Sequence, residues 1–234
     1  MIRTHESNTS WWGQPVAIVT EAAWFDQDAA ARQKALEPYA WAEFKSPLAS
    51  APPARQLCEA GFALVDVQMN FRIGLGTVPD SPSLAAYECR TAAEEPFAIG
   101  PDDVRTFEHE RFLQIPGVTH EMLNRRYVAW ANDLIEKHPQ WCLRLTHQGR
   151  TQGWFLSESS GSSVHLVLAM LSAEATVSGQ HLYHRALREY ARRGASMGHA
   201  AFSVRNTPVL NIYAQLGAKF TPPTGCWLWV RETI

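Results

Sequence analysis

The sequence has few of the features that mark secreted, metal-binding or membrane-spanning proteins. Its 234 residues include only four cysteines, and no two of them form a C-x-x-C pair: Cys58, Cys89, Cys142 and Cys226. This spacing indicates neither a disulfide framework nor a zinc site. No apolar run reaches the roughly 18 residues that a membrane-spanning helix needs, and the N-terminal residues lack the apolar core of a secretory signal. We therefore expect a cytoplasmic protein with no metal and no membrane partner.

An excess of charge of one sign is also absent. The chain has 21 Lys and Arg residues against 23 Asp and Glu residues, a net charge of -2, and no block of basic residues. A general nucleic-acid binder needs a clustered basic patch, so we expect no nucleic-acid partner. With 46% hydrophobic residues, the chain is able to form one large domain or two small ones.

Turn residues divide the chain into two predicted parts. Residues 62–73 alternate like a long strand, and the glycine- and proline-containing stretch 75–82 that follows is the best candidate boundary. We predict an N-terminal domain over residues 1–83 and a second domain over residues 84–234. Helices are predicted in the first domain at 29–41 and 54–60, with a Ser/Pro/Ala linker at 46–53.

The second part reads as β-α-α-β-β-β-α-β-α-β. The helices are predicted at residues 102–112, 121–137, 180–193 and 208–216, and the strands at residues 86–90, 141–146, 151–156, 164–171, 200–204 and 226–231. The strand 164–171 is apolar except for His165, which is typical of a central strand buried on both faces.

The most specific motif lies near the C-terminus. Thr207 is suited to cap a helix and Pro208 to its first position. Tyr213 falls inside this helix, and Gly217 fits the left-handed position just after it. Together with Asn206 before the helix, the segment resembles the Asn…Tyr…Gly-x-x-Phe segment of the GCN5-related N-acetyltransferase (GNAT) superfamily.

This resemblance, with the same element order, implies a fold and an activity. It implies a mixed α/β GNAT fold for the second domain and a smaller, truncated GNAT-like N-terminal domain. It also implies acetyl-CoA as co-substrate and a small-molecule amine as acceptor. The stretch around residues 11–19 and 57–71 resembles the N-terminal part of acetyltransferases that act on a nucleotide-linked amino sugar. The sequence leaves a homodimer open.

The resemblance also implies particular site residues. Asn206 and Tyr213 face coenzyme A in this family, and the Tyr213 hydroxyl protonates the departing thiolate. A phenol titrates near 10 and a thiol near 8.5, so a positioned tyrosine is a competent general acid. The pantetheine amides bind the exposed backbone at the end of the strand 164–171, which makes three residues candidates: Ala169, Met170 and Leu171. An N–H group there is placed to polarise the thioester carbonyl.

The loop after this strand is predicted to hold the pyrophosphate, because backbone N–H groups at a helix N-terminus attract anions. Its candidate residues are Val177, Ser178, Gly179, Gln180 and His181. The family usually has Arg/Gln-x-x-Gly-x-Gly/Ala here. Gly179 matches the middle glycine, whereas Thr176 and His181 depart from the pattern. His181 either crowds the phosphates or donates a hydrogen bond to one, and the alternative is a loop with no ligand, in which Ser178 only caps the helix.

The general base is less determined by sequence. His165 is a candidate catalytic base on the predicted central strand, and Glu158 and Glu174 flank that strand. The alternatives are that His165 is a buried, hydrogen-bonded histidine, or that water alone removes the proton. A rival to the enzyme is a non-catalytic acyl-CoA-binding or interaction module whose phosphate loop has degenerated.

Overall fold

A computed structural model describes residues 1–231. Its strands are β1 (Ile2–Thr4), β2 (Val16–Val19), β3 (Trp41–Pro47), β4 (Ala63–Gly74), β5 (Tyr87–Thr91), β6 (Cys142–His147), β7 (Arg150–Ser160), β8 (Ser163–Leu171), β9 (Met197–Ser203) and β10 (Lys219–Val230). Its α-helices are α1 (Glu6–Trp12), α2 (Ala29–Leu36), α3 (Ala54–Glu59), α4 (His120–Lys137), α5 (Gly179–Arg192) and α6 (Thr207–Gln215). No helix within residues 1–231 is both long and apolar enough to cross a bilayer.

The chain forms two compact units, each assembled from more than one stretch of sequence. Unit 1 consists of residues 1–69, 111–117 and the chain from 222, and unit 2 of residues 70–110 and 118–221. The single boundary between residues 83 and 84 stays a prediction, since strands β4 and β10 contribute to both units.

Unit 1 contains the strand order β1-β2-β3-β10-β4. Strands β2 and β3 are parallel, and β10 runs antiparallel to β3. Large aromatic side chains fill its core: Trp24, Phe25, Phe44, Phe62 and Trp227. The helix predicted over 29–41 ends earlier than expected, at Leu36, and the predicted linker begins inside strand β3. Both errors arise because β3 is held by pairing with β2 and β10, which local sequence does not reveal.

Unit 2 contains the strand order β4-β9-β8-β7-β6-β5. Strands β5 to β8 are antiparallel neighbours, whereas β8 and β9 are parallel. One apolar cluster packs α5 and α6 on the sheet, and a second packs α4 on the other face. Each strand and helix predicted for this part has a counterpart, except the helix at 102–112. Strand β10 begins at Lys219, well before the start predicted at residue 226.

The segment predicted as a helix at 102–112 is not helical. It contains only single 3-10 turns at Pro101–Asp103 and Arg111–Gln114. Val104 forms a bridge with Ser172, and the Arg105 N–H donates to the carbonyl oxygen of Leu171 at 3.0 Å. Because these backbone groups bond to the end of β8, they cannot also close a helical turn.

Strand β8 contains an irregularity that changes which way its side chains point. Leu166 is paired with Ser157 and Leu168 with Leu156, so Val167 is an extra residue, a β-bulge. Before the bulge, Leu166 packs in the cluster of α5 and α6. After it, Leu168 packs in the cluster of α4. The bulge therefore reverses the alternation: even-numbered residues face α5 and α6 before it and α4 after it, so Ala169 and Leu171 pack in the same cluster as Leu166.

Candidate active site

Strands β8 and β9 are paired over only three positions before they separate. The paired residues are Ser163 with Met197, Val164 with Gly198, and His165 with His199. Strand β8 continues from there to Leu171 and β9 to Ser203, with no further pairing between them in residues 1–231. The edge of β8 that faces β9 is therefore open from Leu166 to Met170, and it ends at Leu171, where the segment at Val104 and Arg105 pairs with the strand end.

Alternation of the backbone identifies which residues face this open edge. The Leu171 carbonyl accepts from the Arg105 N–H, whereas the Ser172 N–H donates to the carbonyl oxygen of Gln152 on β7. Successive residues of an antiparallel strand direct their N–H and C=O groups to opposite sides. Ala169 thus faces the same edge as Leu171, whose carbonyl is already bonded to Arg105, and the predicted role of both as backbone ligands stays a prediction. Met170 does not face this edge, because its backbone faces β7 and its side chain is buried.

A buried glutamine that sequence reasoning missed holds the loop after β8. Gln152 is completely buried, and its Oε1 accepts hydrogen bonds from the N–H groups of Thr176 at 2.8 Å and Val177 at 3.3 Å. Its Nε2 donates to the Arg150 carbonyl at 3.2 Å. The Val177 N–H, a predicted phosphate ligand, is therefore engaged inside the protein. No local motif distinguishes Gln152, because its partners lie 24 and 25 residues away.

The next two residues leave their backbone donors available. Ser178 caps α5: its Oγ accepts from the Gln180 N–H at 3.3 Å and its carbonyl from the His181 N–H at 3.1 Å. Within residues 1–231, the N–H groups of Ser178 and Gly179 have no hydrogen-bond partner. A Cβ on Gly179 would lie 3.8 Å from the nearest atom, a methyl of Ile212, so the fold itself does not require glycine there.

The side chains of the two following residues are held within the protein. The His181 ring stacks on Tyr87 with centroids 5.7 Å apart. Tyr87 in turn stacks on His147 at 4.9 Å. The Gln180 amide donates to Gln215 Oε1 at 2.8 Å. The phosphate-ligand role predicted for His181 and Gln180 thus stays a prediction, with both side chains already in contact with neighbours.

Tyr213 lies on α6 in an aromatic environment. Its ring centroid is 4.0 Å from that of Phe71, 5.9 Å from Phe202 and 5.3 Å from Tyr183. Only 4% of the residue is exposed. Its hydroxyl has no hydrogen-bond partner within residues 1–231, unlike a core tyrosine whose hydroxyl is satisfied locally. Burial, and then the neighbouring Tyr183, raise the pKa of Tyr213 well above its usual value, so the phenol keeps its proton.

Asn206, not Thr207, caps α6. Its side chain accepts a hydrogen bond from the Val209 N–H at 3.3 Å, and Thr207 is the first helical residue. This corrects the predicted cap by one position and places Pro208 second in the helix. Gly217 has the predicted left-handed backbone, with φ of 84°. The predicted contact of Asn206 with coenzyme A stays a prediction.

His165 is at the surface, not buried. Its side chain is 45% exposed, and its Nδ1 lies 3.1 Å from Glu158 Oε1. The His199 ring is parallel to it, with centroids 5.2 Å apart. The interpretation of His165 as a buried core histidine is therefore wrong. Glu174, the other flanking acid, is exposed beyond the end of β8.

Comparison with solved structures adds to this geometry. A GCN5-related N-acetyltransferase from Sphaerobacter thermophilus is similar over 100% of this chain and 77% of its own, with a TM-score of 0.61 and 14% identity. One from Kribbella flavida covers 93% of this chain and 82% of its own, with a TM-score of 0.52 and 13% identity. This chain has the GNAT fold. The mixed α/β architecture predicted from sequence is thereby confirmed.

A tandem GNAT protein from the clavulanic acid biosynthesis pathway is also similar, over 95% of this chain and 77% of its own, with a TM-score of 0.51 and 15% identity. A protein built from two GNAT units is consistent with the truncated GNAT-like N-terminal part predicted here. At the level of sequence, no protein-family model matches the chain, and no curated protein matches it.

Within this GNAT fold the predicted site residues separate into two groups. Ala169, Leu171, Val177 and Tyr213 share the apolar cluster under α5 and α6. His165 precedes the bulge and points to the opposite face, toward the α4 side. A ligand along the open edge of β8 would therefore have Tyr213 on one side and His165 on the other.

Proposed function

We propose that the protein is an acetyl-CoA-dependent N-acetyltransferase acting on a small primary amine. The observation that carries the proposal is the open edge of β8, where the pairing with β9 stops at His165. An unpaired strand edge accepts an extended chain with amide groups as if it were an added strand, and the pantetheine arm is such a chain. Its cytoplasmic location and a homodimeric state remain predictions.

Backbone donors along this path match the groups of the co-substrate in order. The Ala169 N–H faces the open edge, which ends at Leu171, and the N–H groups of Ser178 and Gly179, which have no partner in residues 1–231, follow at the start of α5. A helix N-terminus favours a negatively charged phosphate. Gly179 leaves room for a phosphate to approach the backbone closely, because the nearest atom to a Cβ placed there is 3.8 Å away.

Bound acetyl-CoA supplies an activated acetyl thioester. The Ala169 N–H is placed to stabilise negative charge on the carbonyl oxygen as the amine attacks. His165 would accept the proton that the acceptor ammonium loses before attack. Tyr213 would donate its hydroxyl proton to the departing sulfur and be reprotonated by the proton that the nitrogen loses as it becomes an amide. General acid and base steps of this kind each contribute about 10²–10⁴-fold to rate.

A second candidate, a non-catalytic acyl-CoA-binding module, is favoured by the loop itself. Gln152 occupies the N–H groups of Thr176 and Val177, and Tyr87 holds the His181 ring. Fewer donors remain for the pyrophosphate than a fully open loop would provide. Such a module would bind coenzyme A without transferring the acetyl group.

The proposed acceptor class is a nucleotide-linked amino sugar. The N-terminal resemblance noted above is to dTDP-fucosamine acetyltransferase, so nucleotide-linked 4-amino sugars are the first acceptors to test. None of the structural neighbours described above is named as a sugar acetyltransferase. A panel that adds free amino sugars, polyamines and amino acids would identify the acceptor by thiol release.

Binding is tested by thermal unfolding with acetyl-CoA and two variants at one position. At 100 times its Kd, a ligand stabilises the folded state by about 2.7 kcal/mol, or roughly 5–11 °C for a chain of this size. Gly179→Glu should abolish this shift, because its carboxylate would meet the phosphates. Gly179→Ala is the matched control and should fold normally, since its methyl has room. No shift of the wild-type protein at millimolar acetyl-CoA would refute both candidate functions.

A further inference from the structure

A cluster of titratable side chains surrounds the last pair of residues at which β8 and β9 are joined. His165 and His199 are neighbours in the parallel ladder, with ring planes inclined by only 6°. Glu158 is the cross-strand partner of His165 on β7. His138, which follows α4, places its Nε2 3.7 Å from Glu158 Oε2. Because the strands separate immediately after this pair, the cluster lies where the open edge of β8 begins.

Glu158 determines which nitrogen of His165 carries hydrogen. A carboxylate accepts hydrogen bonds and donates none, and a neutral imidazole is protonated on one nitrogen only. The Nδ1 atom, 3.1 Å from Glu158 Oε1, must therefore hold the hydrogen. The Nε2 lone pair is then free, as a general base requires.

His199 affects the same ring by stacking. Burial, and then the neighbouring His165, hold the pKa of His199 below its ordinary value of 6.5. Two protonated imidazoles in contact would repel each other, which agrees with the direction of this shift. The ring beside the carboxylate is that of His165.

We propose that Glu158 and His199 are positioning residues for His165: Glu158 fixes the Nδ1–H tautomer, and His199 fixes the plane of the ring. The inference rests on the proposed acetyltransferase function. His165 and Ala169 are four residues apart, roughly 13 Å along an extended strand at about 3.3 Å per residue, so water relays the proton. It passes from the acceptor ammonium nitrogen to His165 Nε2 and later to solvent, while Glu158 remains a carboxylate.

The first test uses the unliganded protein and needs no acceptor. Nitrogen-15 NMR of labelled histidines reports which ring nitrogen of neutral His165 is protonated. Free histidine favours the Nε2–H form, so an Nδ1–H form in the wild type would support the proposal. Glu158→Ala should restore the Nε2–H preference, and Glu121→Ala, which removes an exposed carboxylate on α4, should not. An Nε2–H tautomer in the wild type would overturn the proposal.

The second test measures turnover with the acceptor found by thiol release. Glu158→Ala should lower kcat on the order of 10–100-fold, as loss of an orienting partner does, with KM and acetyl-CoA affinity unchanged. Glu158→Gln keeps an acceptor oxygen and should recover part of the loss. His199→Phe, which retains a ring, should be more active than His199→Ala.

The outcomes separate this inference from the proposed function. Unchanged kcat in Glu158→Ala, or equal activities of the two His199 variants, would overturn the positioning roles in an active enzyme. An Nδ1–H tautomer in a protein that binds acetyl-CoA but acetylates none of the amines would instead count against the acetyltransferase. In that case the hydrogen bond between Glu158 and His165 would be confirmed, but its proposed role in catalysis would be rejected.

Discussion

Replacing Tyr213 with phenylalanine separates a catalytic hydroxyl from a structural one. The hydroxyl has no hydrogen-bond partner within residues 1–231, while the ring packs on Phe71, Phe202 and Tyr183. Its removal costs no hydrogen bond and keeps the ring contacts. We therefore expect the melting temperature of Tyr213→Phe to stay within about 2 °C of the wild type, because the loss of a hydroxyl with no protein partner costs little.

Turnover should respond in the opposite way. If the hydroxyl protonates the leaving sulfur, kcat should fall by about 10²–10⁴-fold, which corresponds to roughly 2.7–5.4 kcal/mol of barrier. Acetyl-CoA affinity should remain unchanged, since the proton is needed only as the bond breaks. Thiol release with the acceptor in excess measures kcat, and calorimetric titration measures the affinity.

Two tyrosines in the same unit provide matched controls. Tyr190 is completely buried, and its hydroxyl lies 2.9 Å from Ser157 Oγ, 3.0 Å from the Phe155 carbonyl and 3.1 Å from the Trp141 carbonyl. Tyr190→Phe should cost about 1–3 kcal/mol, or roughly 2–12 °C, with kcat nearly unchanged. Tyr183→Phe should change neither quantity. Unchanged kcat in Tyr213→Phe would refute the general-acid role, and destabilisation equal to that of Tyr190→Phe would show that the hydroxyl is bonded.

Two further substitutions test the loop and the charge balance of unit 2. Gln152→Leu should weaken acetyl-CoA binding by about 2- to 12-fold, because the loop at Thr176 and Val177 is no longer held by Gln152. This range corresponds to a hydrogen bond of about 0.5–1.5 kcal/mol. Unchanged affinity by calorimetric titration would show that binding does not depend on this anchor. Burial raises the pKa of Glu189, but Arg192 and Arg185 outweigh it and hold the pKa below 4.5. This stabilisation is present above pH 4.5 and is lost as pH falls through the lower folded-state pKa. Glu189→Gln should therefore lower the free energy of unfolding by about 2–4 kcal/mol at pH 7 and make it depend less on acid pH, as measured by urea unfolding. Parallel pH profiles of the two proteins would contradict this.

Local signals in the sequence were sufficient where a structural element depends on its own residues. The end of α6 was predictable because Gly217 adopts the left-handed backbone that follows a helix, and the start of α5 was predictable because Ser178 caps it. The apolar run of β8 likewise predicted a central strand. These signals placed Tyr213 and Gly179 on the correct elements, and hence the GNAT fold was predictable.

Long-range pairing accounts for what the sequence did not reveal. Residues around Val104 have helical composition but bond to the end of β8 instead. Gln152 is an ordinary polar residue in a strand until the fold brings Thr176 to it. The bulge at Val167 arises from the register of β8 with β7. Because the sequence does not reveal this bulge, it could not predict on which face of the sheet His165 and Met170 lie.

The bulge at Val167 also affects how such a protein can diverge. Because of it, His165 lies on the α4 face while Ala169 and Leu171 pack under α5 and α6, so a change at His165 leaves the packing of Ala169 and Leu171 largely undisturbed. If the proposed function holds, residues near His165 can change to suit a different amine while the part of β8 proposed to bind acetyl-CoA stays the same. Without the bulge, regular alternation would place the side chains of His165 and Ala169 on the same face of the sheet, so that changes at one would affect the packing of the other.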